Sequence, residues 1–205
     1  MPRVNIVCFA SGRGSNVHAL IRGIESKKIP AAIVLVISNN STAGVLDIAR
    51  EAGIPAKHIS EKQFSSHDEF SKAMCRALDE ARADMIVLAG YMKKLPSAVC
   101  KRFSGKILNI HPALLPAFGG KGMFGIHVHE AVLASGARES GATVHLVDEE
   151  YDRGKIVMQE KVPVLPGDTP EILAARVLEL EHKILPEAVA RMVKKIQDEP
   201  INQHS

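Results

Sequence analysis

Apolar and polar positions along this chain switch repeatedly between two periods. Val4–Ala10 is almost wholly apolar, as in a strand covered on both faces. Val17, Leu20, Ile21 and Ile24 then fall at i, i+3, i+4 and i+7, the stripe of an amphipathic helix. Ala32–Ser38 reads as a second buried strand, followed by a helix around Gly44–Ala52 that stops at Gly53 and Pro55. A weak strand is predicted near Lys57–Ser60, and the helix after it carries Phe70, Met74, Ala77 and Leu78 on one face. Asp84–Gly90 and Lys106–Ile110 are further strands, with a short helix after Pro96 between them. This order predicts an α/β protein: a doubly wound, mostly parallel sheet with helices on both faces.

The second half changes character. Thr143–Val147 and Ile156–Val162 alternate around the polar stretch Asp148–Gly154, which predicts an antiparallel hairpin with a long loop. A helix is expected over Val128–Ser135. The last helix runs from about Pro170 into the 190s, with Leu173, Val177, Leu180 and Ile184 inward and Pro186 expected to kink or divide it. Residues 1–195 read as a single domain and 196–205 as a polar tail.

Composition narrows the class. Of 205 residues, 46% are apolar, enough for a full core. No apolar run reaches the roughly 18 residues of a membrane span, and the N-terminal residues lead directly into a strand without a signal-peptide layout. Cys8, Cys75 and Cys100 are odd in number and scattered, which suits a cytoplasmic protein better than a disulfide framework. A net charge of +3 and 4% aromatics, without a basic stripe, disfavour a nucleic-acid binder. His127 and His129 lack further ligands at suitable spacing, so no metal is expected.

Two segments carry chemistry. Ser11-Gly-Arg-Gly-Ser-Asn16 joins the first strand to the first helix. Gly12 and Gly14 permit a tight turn, Ser15 or Asn16 can cap the helix, and its free N–H groups suit one phosphate. It is neither a nucleoside-triphosphate loop nor a full dinucleotide fingerprint, since Val17 takes the third glycine's place. In Lys106-Ile-Leu-Asn-Ile-His-Pro112, the period of two puts Asn109 and His111 on one side of a strand end. An amide donor and a titratable imidazole thus converge where open α/β sheets bind ligands.

Asn-x-His-Pro followed by Ala-Leu-Leu-Pro116 resembles the signature of the folate-dependent formyltransferases. Gly14, Ser15 and Asn16 match that family's loop for a ribotide phosphate. Val144-His-Leu-Val followed by Asp152 and Gly154 is similar to its aspartate stretch, and Ala89-Gly-Tyr-Met92 to its pterin-pocket segment. The resemblance spans roughly residues 4–190. It implies a Rossmann-like formyltransferase fold and catalysis by Asn109, His111 and Asp152. Asn109 and His111 would stabilise a tetrahedral oxyanion, and Asp152 would favour the imidazolium. Folate would be bordered by Met92, Lys93, Lys94, Leu95 and Asn109. His67 stands where relatives carry an arginine for the folate's glutamate tail, and Glu181 matches a glutamate at the glycinamide end. The implied reaction is formyl transfer from 10-formyltetrahydrofolate, as co-substrate, to the amine of 5'-phosphoribosylglycinamide in purine biosynthesis. Formyltetrahydrofolate hydrolysis and a non-catalytic ribotide-binding module are the alternatives. Small-molecule substrates, no nucleic acid or membrane, and a monomer or homodimer follow. The chain departs from family habit at Lys93, Lys94 and His67, and in the glycine-rich stretch Gly119–Gly125, which reads either as a mobile lid beside the amine side or as a plain surface loop.

Overall fold

The computed structural model describes residues 3–148 and 152–199. A seven-stranded sheet forms its centre, in the order β3-β2-β1-β4-β5-β6-β7. The strands are β1 (Val4–Phe9), β2 (Ala31–Ser38), β3 (Ala56–His58), β4 (Met85–Leu88), β5 (Ile107–His111), β6 (Glu139–Leu146) and β7 (Ile156–Pro163). β1 to β5 are parallel; β6 runs antiparallel to β5, and β7 antiparallel to β6. The helices are α1 (Ser15–Glu25), α2 (Val45–Glu51), α3 (His67–Glu80), α4 (Ser97–Arg102), α5 (Ile126–Ala134) and α6 (Pro170–Asp198).

Continuous apolar strands make sense here because each feeds two cores. Ile6 and Cys8 of β1 face the layer of α1, α2 and α6, while Val7 and Phe9 face α3 and α4. β4 divides likewise, Met85 and Val87 to one side, Ile86 and Leu88 to the other. The same alternation puts Asn109 and His111 on the side of Ile107, at the carboxyl end of β5.

Strand order reverses between β1 and β4. The loops leaving these two strands, and the end of β5 beside them, therefore open into the crevice that doubly wound sheets use for ligands. Helix α6 packs along this crevice. It starts at Thr169, whose hydroxyl accepts a bond from the Ile172 N–H, with Pro170 in the first turn. Pro186 does not divide it: α6 is continuous through Asp198. The proline gives up one N–H, but Ile184, Leu185, Ala188, Val189 and Met192 around it are buried in the core and hold the helix together. Ile196–Asp198 thus lie in α6, and residues 200–205 of the expected tail fall outside the described residues.

Candidate active site

One cavity of about 1030 Å³ occupies the crevice. The glycine loop lies at one end. Gly14 has φ 84°, and a Cβ there would sit 2.6 Å from Val45 Cβ, so both conformation and space demand glycine. Neither Ser15 nor Asn16 caps α1, contrary to the sequence expectation. Gly14 itself is the cap residue, without a side-chain bond, and the first-turn N–H groups keep no capping partner. Asn16 turns inward instead, and its Nδ2 donates to Glu181 Oε2 at 2.5 Å. Burial pushes the Glu181 carboxyl up to about 7, against the smaller opposing effect of the Asn16 bond. Arg13 and Glu181 both line the cavity.

The segment after β4 forms another wall. Met92, Lys93, Lys94 and Leu95 all line the cavity, Leu95 buried and Met92 46% exposed. Ser11 ties this wall to the glycine loop: its hydroxyl accepts from the Met92 N–H at 2.8 Å and donates to Asn39 Oδ1. Gly119–Gly125 approaches from across, with Phe124 45% exposed in the lining. A Cβ on Gly125 would lie 3.7 Å from Met92 Cε, so this loop meets the Met92 wall.

Asn109, His111 and Asp152 line the floor. The His111 Nε2–H donates to the Phe118 carbonyl at 2.8 Å, and Nδ1 faces Asp152 Oδ2 at 3.8 Å. The ring is buried, and burial lowers its pKa below the ordinary histidine value. The Asp152 charge and the Phe118 bond oppose this without overcoming it. Desolvation thus outweighs a carboxylate beyond hydrogen-bond reach, and the balance shifts toward the neutral ring and away from the expected imidazolium. Asp152 sits in the left-handed region at φ 54° and accepts from the Gly120 N–H at 2.8 Å. Burial works against its charge, but His145, Gly120 and His111 together hold its carboxyl below the usual range.

His145 is the member that sequence reasoning missed. It is directly opposite Asn109 across β5 and β6, and it is buried. Its Nδ1 lies 2.8 Å from the Leu146 carbonyl and its Nε2 lies 3.0 Å from Asn109 Nδ2. The carbonyl takes the Nδ1 proton, so Nε2 accepts from the Asn109 amide and also faces Asp152 Oδ1 at 3.5 Å. One Asn109 hydrogen is thus fixed and the other is available to the cavity. The arrangement offers a preorganised amide donor, a neutral imidazole base and a carboxylate to stabilise its conjugate acid.

Comparison with known proteins agrees with this geometry. Residues 4–189 match the formyl transferase family model. The chain belongs to the formyl transferase family. It is 43% identical over 194 residues, 94% of its length, to the chloroplastic phosphoribosylglycinamide formyltransferase of Arabidopsis thaliana, and covers 66% of that protein. A trifunctional purine biosynthetic protein of Gallus gallus is 44% identical over 187 residues, 91% of this chain and 18% of its own length. The phosphoribosylglycinamide formyltransferase of Brucella melitensis superposes with a TM-score of 0.86 at 44% identity, covering 94% of this chain and 96% of that one. The chain thus spans about two thirds or less of the length of these two curated relatives, and nearly all of the solved one.

Within this formyl transferase, the cavity brings together Asn109, His111, Asp152, Glu181 and Met92–Leu95, all among the candidate residues of the sequence. Gly14, Ser15 and Asn16 adjoin it through Arg13 and the Asn16–Glu181 bond. His67 is not brought in. It lies outside the lining, exposed, with Nδ1 paired to Glu61 at 2.7 Å. His127 also faces outward, against Glu130, while His129 is buried in the lining. Among the described residues no three His, Cys, Asp or Glu side chains group to hold a metal, and no helix is long and apolar enough to cross a membrane.

Proposed function

We propose that this formyl transferase moves the formyl group of 10-formyltetrahydrofolate to the amine of 5'-phosphoribosylglycinamide, giving formylglycinamide ribonucleotide and tetrahydrofolate. The observation that carries the reading is the convergence of Asn109, His111, Asp152 and Glu181 on one cavity. An anion-suited glycine loop adjoins it, and Met92–Leu95, tied to that loop through Ser11, form one of its walls. Its volume, about 1030 Å³, suits two substrates side by side better than one small ligand. In this reading Gly14, Ser15 and Asn16 meet the phosphate, Glu181 the glycinamide ribotide, and Met92–Leu95 with Asn109 the folate.

Each residue then has a chemical task. In this reading the second Asn109 hydrogen, on the cavity side, meets the formyl oxygen as it gains charge under attack by the amine, and so stabilises the tetrahedral centre. His111 is held neutral with Nε2 committed to Phe118. Its Nδ1 lone pair accepts the proton that the attacking nitrogen loses, and Asp152 stabilises the imidazolium formed. The same proton then goes to the folate nitrogen as its bond to the formyl carbon breaks. We place the reaction in the cytoplasm, a reading supported by three scattered cysteines with no disulfide between them.

The deciding assay follows deformylation of a 10-formylfolate donor with and without ribotide. Release only with ribotide supports transfer. Release without ribotide would replace it with hydrolysis, and ribotide binding without release would leave a binding module.

A further inference from the structure

His111 stands in a row that crosses three strands. It pairs in register with Thr143 of β6, and Thr143 pairs with Gln159 of β7. The chain leaving His111 has a particular need for outside partners. Pro112 and Pro116 bracket the turn and offer no N–H, so the Ala113 and Leu115 carbonyls must find donors elsewhere.

The other two members of the row supply them. The Thr143 hydroxyl donates to the Ala113 carbonyl at 2.6 Å and accepts from the Leu115 N–H at 3.2 Å. Gln159 Nε2 donates to the Leu115 carbonyl at 2.9 Å and to the Thr143 hydroxyl at 2.8 Å. The one hydrogen and both lone pairs of Thr143 are used, as are both amide hydrogens of Gln159. The amide orientation is fixed too, because a reversed amide would set its oxygen against the Leu115 carbonyl. Thr143 is fully buried, and neither residue lines the cavity. The clamped segment leads on to Phe118, whose carbonyl receives the His111 Nε2–H.

We propose that Gln159 and Thr143 are positioning residues for His111: they hold the turn between the imidazole and the carbonyl that orients it. The inference rests on the function proposed above. Without the Gln159 donors, a carbonyl and a hydroxyl lone pair lose their partners, and the turn relaxes toward another arrangement. The cavity walls stay in place, so the loss falls on chemistry rather than on binding.

The test uses the full chain. Gln159→Leu removes both donors, and Gln159→Glu keeps the shape while its carboxylate cannot donate to Leu115. Thr143→Val removes the hydroxyl and Thr143→Ser restores it. Steady-state transfer is measured together with an NMR titration of the His111 ring. The first three variants should lose about tenfold in kcat with each KM within about twofold, as expected for a small misplacement of a reacting group. Thr143→Ser should recover most of the rate. The His111 titration should rise from its depressed position as water reaches the ring. A folded Gln159→Glu protein with wild-type kcat and an unchanged His111 titration would overturn the inference, and that variant decides the matter should Gln159→Leu not fold. A wild-type chain that transfers no formyl group would refute the functional reading separately; the ring titration alone then decides this one.

Discussion

His145 Nε2 accepts the amide of Asn109 at 3.0 Å from the directly opposite position on the neighbouring antiparallel strand. An asparagine at a strand end is otherwise free to rotate its amide, and an oxyanion donor works only when it is aimed beforehand. The Leu146 carbonyl at 2.8 Å fixes the tautomer of His145, and through it the face that Asn109 shows to the cavity. His145→Ala should therefore lower kcat by about 10²-fold while leaving ribotide KM nearly unchanged, the usual scale for one misaligned oxyanion donor. Steady-state kinetics on the folded variant checks this, and a rate near wild type would remove His145 from the machinery.

His111→Ala and Asp152→Asn should each cut turnover by roughly 10²-fold or more, as general acid–base groups do. The pH dependence carries more information. Burial lowers the His111 pKa from its ordinary 6.5, and in the role proposed above the ring must be neutral to accept the proton. The acid limb of kcat should therefore lie below pH 6.5 and disappear in His111→Ala. Stability has the same sign at this group: the unfolded chain binds more protons between the two pKa values, so stability falls as pH drops through that window. A limb at or above 6.5 would contradict the neutral assignment.

Gly14 combines a left-handed φ of 84° with a Cβ position only 2.6 Å from Val45 Cβ and 2.8 Å from Val45 Cα. A backbone atom cannot step aside as a side-chain end can. Gly14→Ala should destabilise the fold by about 2 kcal/mol and raise the ribotide KM, because the turn and the α1 amides shift together. Thermal melting and kinetics read the two effects separately. At Gly12 a Cβ would meet nothing within 4 Å, which makes Gly12→Ala the matched control.

Much of this was legible in the sequence, and the reason is the two-sided sheet. A strand such as β1 that feeds both cores must be apolar throughout, so its pattern is plain. Asn109 and His111 break the apolar run of β5 at a spacing of two, which announces a site. His145 gives no such signal, since a lone histidine between Val144 and Leu146 looks like a satisfied core residue. Phe118 and Gly120 act through a carbonyl and an N–H, groups that every residue has. Asp152 favours the His111 imidazolium as expected, but burial works the other way and is the larger effect, because a sequence shows which charges are near but not how deeply they are buried. Likewise His67 reads as a site residue by position alone, whereas its imidazole is taken up by Glu61 on the surface.

Glu181 supplies an effect of opposite sign to that of His111. Its carboxyl is buried, and its pKa is raised from 4.5 to about 7. The folded protein therefore holds a proton there that the unfolded chain releases between those values. Stability should be fully present below pH 4.5 and decline as pH rises toward 7, by on the order of 3 kcal/mol at most. Glu181→Gln keeps the shape and the Asn16 contact but cannot ionise. With the His111 slope common to both, the wild-type denaturant midpoint should fall progressively relative to that of the variant between pH 5 and 7. Ribotide affinity should weaken in the same variant, because the ionised carboxylate is the stronger acceptor for the substrate's polar groups. Parallel midpoints for the two proteins across that range would show that Glu181 ionises normally in the folded state, and would place it outside the buried wall of the site.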